Sequence, residues 1–180
     1  MKIHFVYFLA ALVLSSCANS PFRKKVSEPF SGSPYESNNR FFRASGKGES
    51  SSDNIARGKA DIEAKTYLAG QVNTTMKQVA DNYQGQTENE RGADVAEKFQ
   101  SLAREVMNTD LADIRKVGEK KFYNEKEKKY TVFVAYEIKK NAMFRFMKKQ
   151  ARVNQKIDER QMAIIDQILD EQIKNSEGEN

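Results

Sequence analysis

The chain has 180 residues, 30 Lys or Arg against 25 Asp or Glu, a formal charge of +5, and 39% hydrophobic with 31% charged residues. That length and balance suit one small domain with a thin core plus a tether. The only His is His4, the only Cys is Cys17 and there is no Trp, which excludes Ser-His-Asp and Cys-His catalysis, most zinc sites and intrachain disulfides from everything beyond residue 17.

The first stretch reads as an address. Met1-Lys2 supplies one positive side chain, and Ile3 to Leu14 is an almost unbroken apolar run interrupted by His4. A run of about a dozen residues matches a secretory signal and falls short of the roughly 20 that span a bilayer as a helix. The four residues that follow on, Leu14-Ser15-Ser16-Cys17, set a large aliphatic and two small residues before a cysteine. This resembles the lipobox of bacterial lipoproteins. The resemblance implies that residues 1–16 are removed and that Cys17, alkylated by a diacylglycerol, becomes the first residue of the mature chain. The alternative is an ordinary signal cleaved near Ser16 or Ala18 with an incidental cysteine. A single acyl chain holds marginally, whereas two or three anchor a protein stably. By family analogy, Ala18 in place of an acidic residue implies the outer membrane. Arg23, Lys24 and Lys25, where surface-exported lipoproteins can carry acids, imply its periplasmic face. In that compartment nucleic acid is not an expected partner. A mildly basic chain suits anionic headgroups, lipopolysaccharide phosphates or cell-wall carboxylates. No cofactor and no metal is expected.

Residues 17–39 read as a flexible linker rich in Ser, Asn and charge, and they hold all three prolines, Pro21, Pro29 and Pro34. Such a tether has a root-mean-square reach of about 25 Å. Phe22, Phe30 and Tyr35 are scattered in it, a pattern more often incidental than lipid- or partner-facing. The folded domain is expected from residue 40. Phe41 to Ser45 suggests a short strand stopped by Gly46 and Gly48. The segment Gly46-Lys47-Gly48-Glu49-Ser50 lacks the phosphate-loop spacing and reads as a turn. Ser51, Ser52 and Asp53 are competing caps for a helix from about Asn54 to Asp81. Ala56, Ala60, Ala64, Leu68, Val72, Met76 and Ala80 recur every fourth residue, a ridge that winds by about 40° per step. Ile62, Tyr67 and Val79 are expected to widen it. The alanines in its first half predict close approach to a sheet.

A short strand, a Gly-x-Gly-x-Ser segment and a helix with repeated Ala-x-x-x-Ala resemble the "Lpp-twenty" lipoprotein family. The matching residues are Arg43-Ala44-Ser45-Gly46, Gly48, Ser50, Ala56-Arg57, Ala60, Ala64 and Leu68, with the later run Lys129 to Ala135. The likeness covers roughly residues 41 to 140. It implies an envelope location and a small α+β architecture, and it offers no catalytic residues.

Tyr83 to Gly92 reads as a polar loop, followed by a helix from about Ala93 to Met107 with Val95, Phe99, Leu102, Ala103 and Val106 on its apolar face. Glu88, Glu90, Asp94 and Glu97 cluster near its start, where acids complement the helix dipole. Leu111 to Phe122 suggests a strand with a bulge at Gly118, Asn124 to Lys128 a charged turn, and Tyr130 to Ile138 a strand with Tyr130, Val132, Val134, Tyr136 and Ile138 on one face. The pair predicts an antiparallel hairpin. The expected class is α+β: a two-layer domain with a small, mainly antiparallel sheet, a long packed helix and an extended C-terminal helix.

That last helix is expected over residues 141–174, which contain neither Pro nor Gly, with a disordered tail at 175–180. Unbroken, it would be about 50 Å long, so part of it would project. Lys139, Lys140, Arg145, Lys148, Lys149, Arg152 and Lys156 crowd its first half, and Asp158, Glu159, Asp166, Asp170 and Glu171 its second. This order opposes the helix dipole. Three readings stay open: the basic half faces an anionic partner, the helix pairs antiparallel with a second copy as a homodimer, or the charges are simply solvated. The expected role is a non-enzymatic binding or assembly component of the envelope, held by acylated Cys17 and meeting an envelope protein or an anionic envelope component. The alternative is a cell-envelope hydrolase using paired carboxylates on peptidoglycan.

Overall fold

Seven small or flexible side chains on one helix ridge set the architecture. The computed structural model describes residues 27–87, 90–108 and 114–177. In it, β1 (Phe41–Ser50), α1 (Asp53–Thr87), α2 (Glu90–Asn108), β2 (Arg115–Asn124), β3 (Lys129–Lys139), α3 (Lys140–Val153) and α4 (Glu159–Glu177) follow one another. The α+β class is as expected. The sheet is antiparallel with strand order β1-β3-β2, so the most apolar strand takes the centre.

All seven ridge residues, Ala56 to Ala80, are at most 1% exposed. The first of them lie against β1, which corrects the expectation of a strand stopped at Gly46. β1 runs on through Gly46 and Gly48, paired with Val134 and Val132 of β3. A methyl group on Gly46 would run into the backbone of Ala60 and Ala64. On Gly48 it would meet Ala56 O and the Ala60 amide nitrogen. The glycines are therefore the sheet's half of a close approach whose helix half is the alanine ridge. Neither works without the other. Ile62 and Tyr67 do not widen the stripe; they are 69% and 55% exposed, because the buried ridge lies on the other side of the helix there. Val79 does pack at the core margin.

The helix begins where Ser52 O accepts the Ala56 amide at 3.0 Å. It continues past Asp81 to Thr87, and α2 starts at Glu90, so most of the expected polar loop is helical. Val72, Met76 and Ala80 share one core with Val95, Phe99, Leu102 and Val106 of α2. The β2–β3 pairing shifts register between Lys116 and Gly118, the bulge expected at that glycine. The expected strand residues Leu111 to Asp113 lie outside the described residues.

Two expectations for the chain ends need correction. The C-terminal stretch is helical, but it divides into α3 and α4 around Asn154–Asp158. Asp158 caps α4. Its carboxylate accepts the Arg160 and Gln161 amides at 2.8 and 2.9 Å, while Gln161 Oε1 accepts the Asp158 amide at 3.0 Å. This reciprocal capping box starts a new helix. The two helices turn back on each other, and Met143, Phe144, Met147, Ala151, Ile165, Ile168 and Leu169 join the common core. Among the described residues no single 50 Å rod projects, the 141–174 segment belongs to the domain, and α4 runs on through Glu177, into the stretch expected as a disordered tail.

The N-terminal correction concerns residues 27–39. Phe30, at φ 58°, sits over the sheet face opposite the long helix, where a Cβ on Gly118 would strike its ring. Tyr35 stacks edge-on against it at 5.2 Å between centroids. Ser37 Oγ accepts the Arg43 amide at 2.8 Å, and Asn38 Oδ1 accepts the Arg40 and Phe41 amides, both at 2.9 Å. This segment is a strap on the fold, so residues 27–39 are not part of a flexible linker.

Candidate functional site

Cys17 lies outside the described residues. The seven candidate partner-binding cations do not form one open basic face. Arg145 Nη2 reaches Glu177 Oε1 at 2.6 Å, Lys148 Nζ reaches Asp170 Oδ2 at 2.7 Å, and Arg152 Nη2 reaches Asp166 Oδ2 at 3.2 Å. Lys148 also lies 3.9 Å from Asp166. The antiparallel match of basic half to acidic half, read from sequence as a link between two copies, is made within one chain. The helix break eases the conflict with the dipole, although Lys140 still opens α3 and Glu177 closes α4. Glu159 now stands in the first turn of α4, Lys174 in its last turn and Arg152 in the last turn of α3, three charges at favourable ends.

Lys140 is half-buried, with its ammonium 4.6 Å from the centre of the Phe42 ring, and burial lowers its pKa. Lys139, Lys149 and Lys156 are exposed. Among the described residues none of these three has a carboxylate within ion-pair distance, so they are what remains of the expected basic patch.

Two further charged constellations tie the sheet together. Glu137, 5% exposed, is gripped by Arg43 at 3.0 Å and by Arg115. Burial alone would raise its carboxyl pKa, but hydrogen bonds from Arg115 and Arg43 outweigh that and hold it below the ordinary value. At the seam of α1 and β2, Arg57 and Lys116 meet Glu119 at 2.9 and 2.8 Å, and Lys121 meets Asp53 at 2.7 Å. Tyr136 donates to Asp61 at 2.8 Å; burial and then that carboxylate raise its pKa. Every carboxylate in these clusters faces a cation or a hydroxyl donor. The arrangement braces the margin of β2, which the long helix does not cover.

A groove of about 920 Å³ lies between the strap, β1 and α1, lined by Phe30, Tyr35, Ser45, Tyr67, Gln71 and Lys140 among others. It follows the free edge of β1. That edge is partly closed by side chains: Gln71 Nε2 donates to Arg43 O at 2.9 Å, the Lys47 amide donates to Glu63 at 2.6 Å, and Lys59 donates to Glu49 O at 3.1 Å. Such capping blocks strand addition by another chain.

The strap is the part of this surface that sequence reasoning missed. A signal was present: Phe30 and Tyr35 bracket Ser31-Gly32-Ser33-Pro34, two aromatics around turn formers, which marks a fixed loop rather than a free tail. Of the acidic cluster near α2, the side chains of Asp94 and Glu97 are described. Asp94 is exposed and accepts a hydrogen bond from Gln161, and Glu97 is exposed. Glu88 lies outside the described residues.

Among the described residues no helix is long and apolar enough to cross a membrane, and no group of three or more His, Cys, Asp or Glu is placed to hold a metal ion. No family model, no curated protein and no solved structure matches this chain.

Proposed function

We propose that this is a lipid-anchored envelope protein of the bacterial outer membrane, facing the periplasm, that works as a binding or assembly component rather than an enzyme. The observation that carries the reading is the order of residues 2–17: a charge, an apolar run of signal length, two small residues and the chain's only cysteine. The likeness to the Lpp-twenty lipoproteins supports the same location and rests on the quoted residues alone. The clustered carboxylates of the domain support the non-catalytic half. Glu137 and Glu119 are each held by two cations, a bracing arrangement, whereas a general acid needs a carboxyl with a raised pKa.

The surface offered to a protein partner is the α3–α4 hairpin and the end of β3 that leads into it, with Lys139, Lys149 and Lys156, which have no carboxylate within ion-pair distance among the described residues. In-cell crosslinking of the native chain, with Cys17→Ser as the unanchored control, tests this. Capture of one discrete partner by the anchored form, lost when Lys139, Lys149 and Lys156 become Glu, is the expected result. Equal capture by the unanchored control, or crosslinks only to peptidoglycan fragments, contradicts the assembly reading.

A further inference from the structure

The length of chain from Cys17 to the fold limits which faces can meet the membrane. Ten peptide steps join Cys17 to Ser27, at most about 35 Å of chain. The chain then enters on the outer face of the sheet, opposite the long helix. Phe30 covers Gly118 there, and Glu28 lies close enough to Lys47 to act on its charge. Lys47 pairs across β1–β3 with Phe133, so the entry point lies on the half of the sheet that leads to the β2–β3 turn.

That half is basic and aromatic. Residues 115–130 hold seven Lys or Arg against Glu119, Glu125 and Glu127. Several of the seven are spoken for, since Arg115 meets Glu137, Lys116 meets Glu119, Lys121 meets Asp53 and Lys129 lies 3.9 Å from Glu127. Lys120, Lys126 and Lys128 have no carboxylate within ion-pair distance among the described residues. Lys120 stands opposite Phe133 on the outer face. Lys126 and Lys128 lie in the exposed turn. Phe122, 51% exposed, stacks edge-on against Phe133 at 5.9 Å between centroids, on the same face. Lys47 stands 5.8 Å from the Phe133 ring, with its own charge met by Glu49 at 2.8 Å.

We propose that the outer face of the β2–β3 hairpin docks on an anionic lipid bilayer, with Phe122 at headgroup depth and Lys120, Lys126 and Lys128 on the lipid phosphates. This rests on the lipoprotein reading, because the tether is what holds the face against the membrane. Aromatic rings with a flanking positive charge suit the interface, and basic side chains beside them add electrostatic attraction to anionic lipid. Each lysine near an anionic surface favours the bound state about fivefold, so three favour it on the order of 10²-fold.

The chain has no Trp, so Phe122→Trp in the full, cell-produced protein gives a single reporter. It is inserted into vesicles of phosphatidylcholine alone or of phosphatidylcholine with phosphatidylglycerol. Docking predicts a blue-shifted emission and quenching by brominated lipid on the anionic vesicles only. High salt should reverse both, and K120E, K126E and K128E combined should abolish them. A Val153→Trp reporter, 70% exposed on α3, should not respond. Circular dichroism of each variant reports retained helix. An unshifted emission on anionic vesicles from an acylated, folded chain overturns this docking and leaves the lipoprotein reading standing. A purified chain whose mass lacks the diacylglycerol overturns both.

Discussion

Replacing Gly46 or Gly48 by Ala places a methyl group inside the backbone of the long helix. At Gly48 the new carbon would lie 2.6 Å from the Ala60 amide nitrogen and 2.9 Å from Lys59 Cβ, with Ala56 O nearer still. The obstructing atoms are mostly main chain, so no rotamer change relieves the clash. The whole helix must lift by something like 1 Å, and the ridge from Ala56 to Leu68 loses contact with β1. Overpacking in cores costs about 1–3 kcal/mol, and a backbone obstacle puts these sites at the top of that range. Taking about 3 kcal/mol and about 2–4 °C per kcal/mol for a domain of this size, the melting temperature falls by about 6–12 °C. The sign is diagnostic, because Gly→Ala in an unobstructed element ordinarily stabilises. Gly58 and Gly70 of the same helix have open space at the Cβ position. Gly58→Ala and Gly70→Ala should therefore raise stability by about 1 kcal/mol each. Thermal denaturation followed at the helical circular dichroism band measures all four. A Gly46→Ala or Gly48→Ala protein as stable as the parent would refute the glycine–alanine interlock.

Other perturbations probe separate contacts. Glu137 has a folded pKa below its ordinary 4.5, so the unfolded state binds its proton first. Its contribution to stability is complete above about pH 4.5 and is lost as the pH falls through the folded value; Glu137→Gln should flatten that acid limb in urea titrations at stepped pH. Lys148→Glu should cost about 0.5–1 kcal/mol, and adding Asp170→Lys should recover most of it at low salt. The pair is partly exposed, so a larger effect or the absence of recovery would count against the α3–α4 charge match. Phe30→Ala should free the strap, seen as faster proteolysis within residues 27–37 at an almost unchanged melting temperature. If cleavage of the variant and the parent proceeds at the same rate, the strap does not depend on that ring.

Much of this fold was legible from side-chain spacing. Seven residues at intervals of four predicted the buried ridge of α1, and strict alternation from Tyr130 to Ile138 predicted the central strand. Gly46 and Gly48 misled because glycine in a strand interior is unfavourable by local criteria. Only the helix lying over them, reached across a turn, explains their place in β1. The C-terminal break was different. Pro and Gly are absent there, but Asp158-x-x-Gln161 spells a capping box. The candidate site was less legible. Lysines and arginines were identifiable as a basic run, but whether each is free depends on which acids the fold brings to it. Asp166, Asp170 and Glu177 claim three of the seven through a reversal that no periodicity encodes. The strap went unrecognised because its anchor, the bare face of Gly118, lies some 90 residues away in β2.

The account rests on Cys17. Intact-mass and N-terminal peptide analysis of the protein purified from its producing cells tests this most directly. The expected mature chain begins at Cys17 and carries the added mass of a thioether-linked diacylglycerol, with or without a further amide-linked acyl chain. A chain that begins at Ala18, or that retains residues 1–16 with an unmodified Cys17, would contradict the lipid anchor and with it the proposed place of this protein in the envelope.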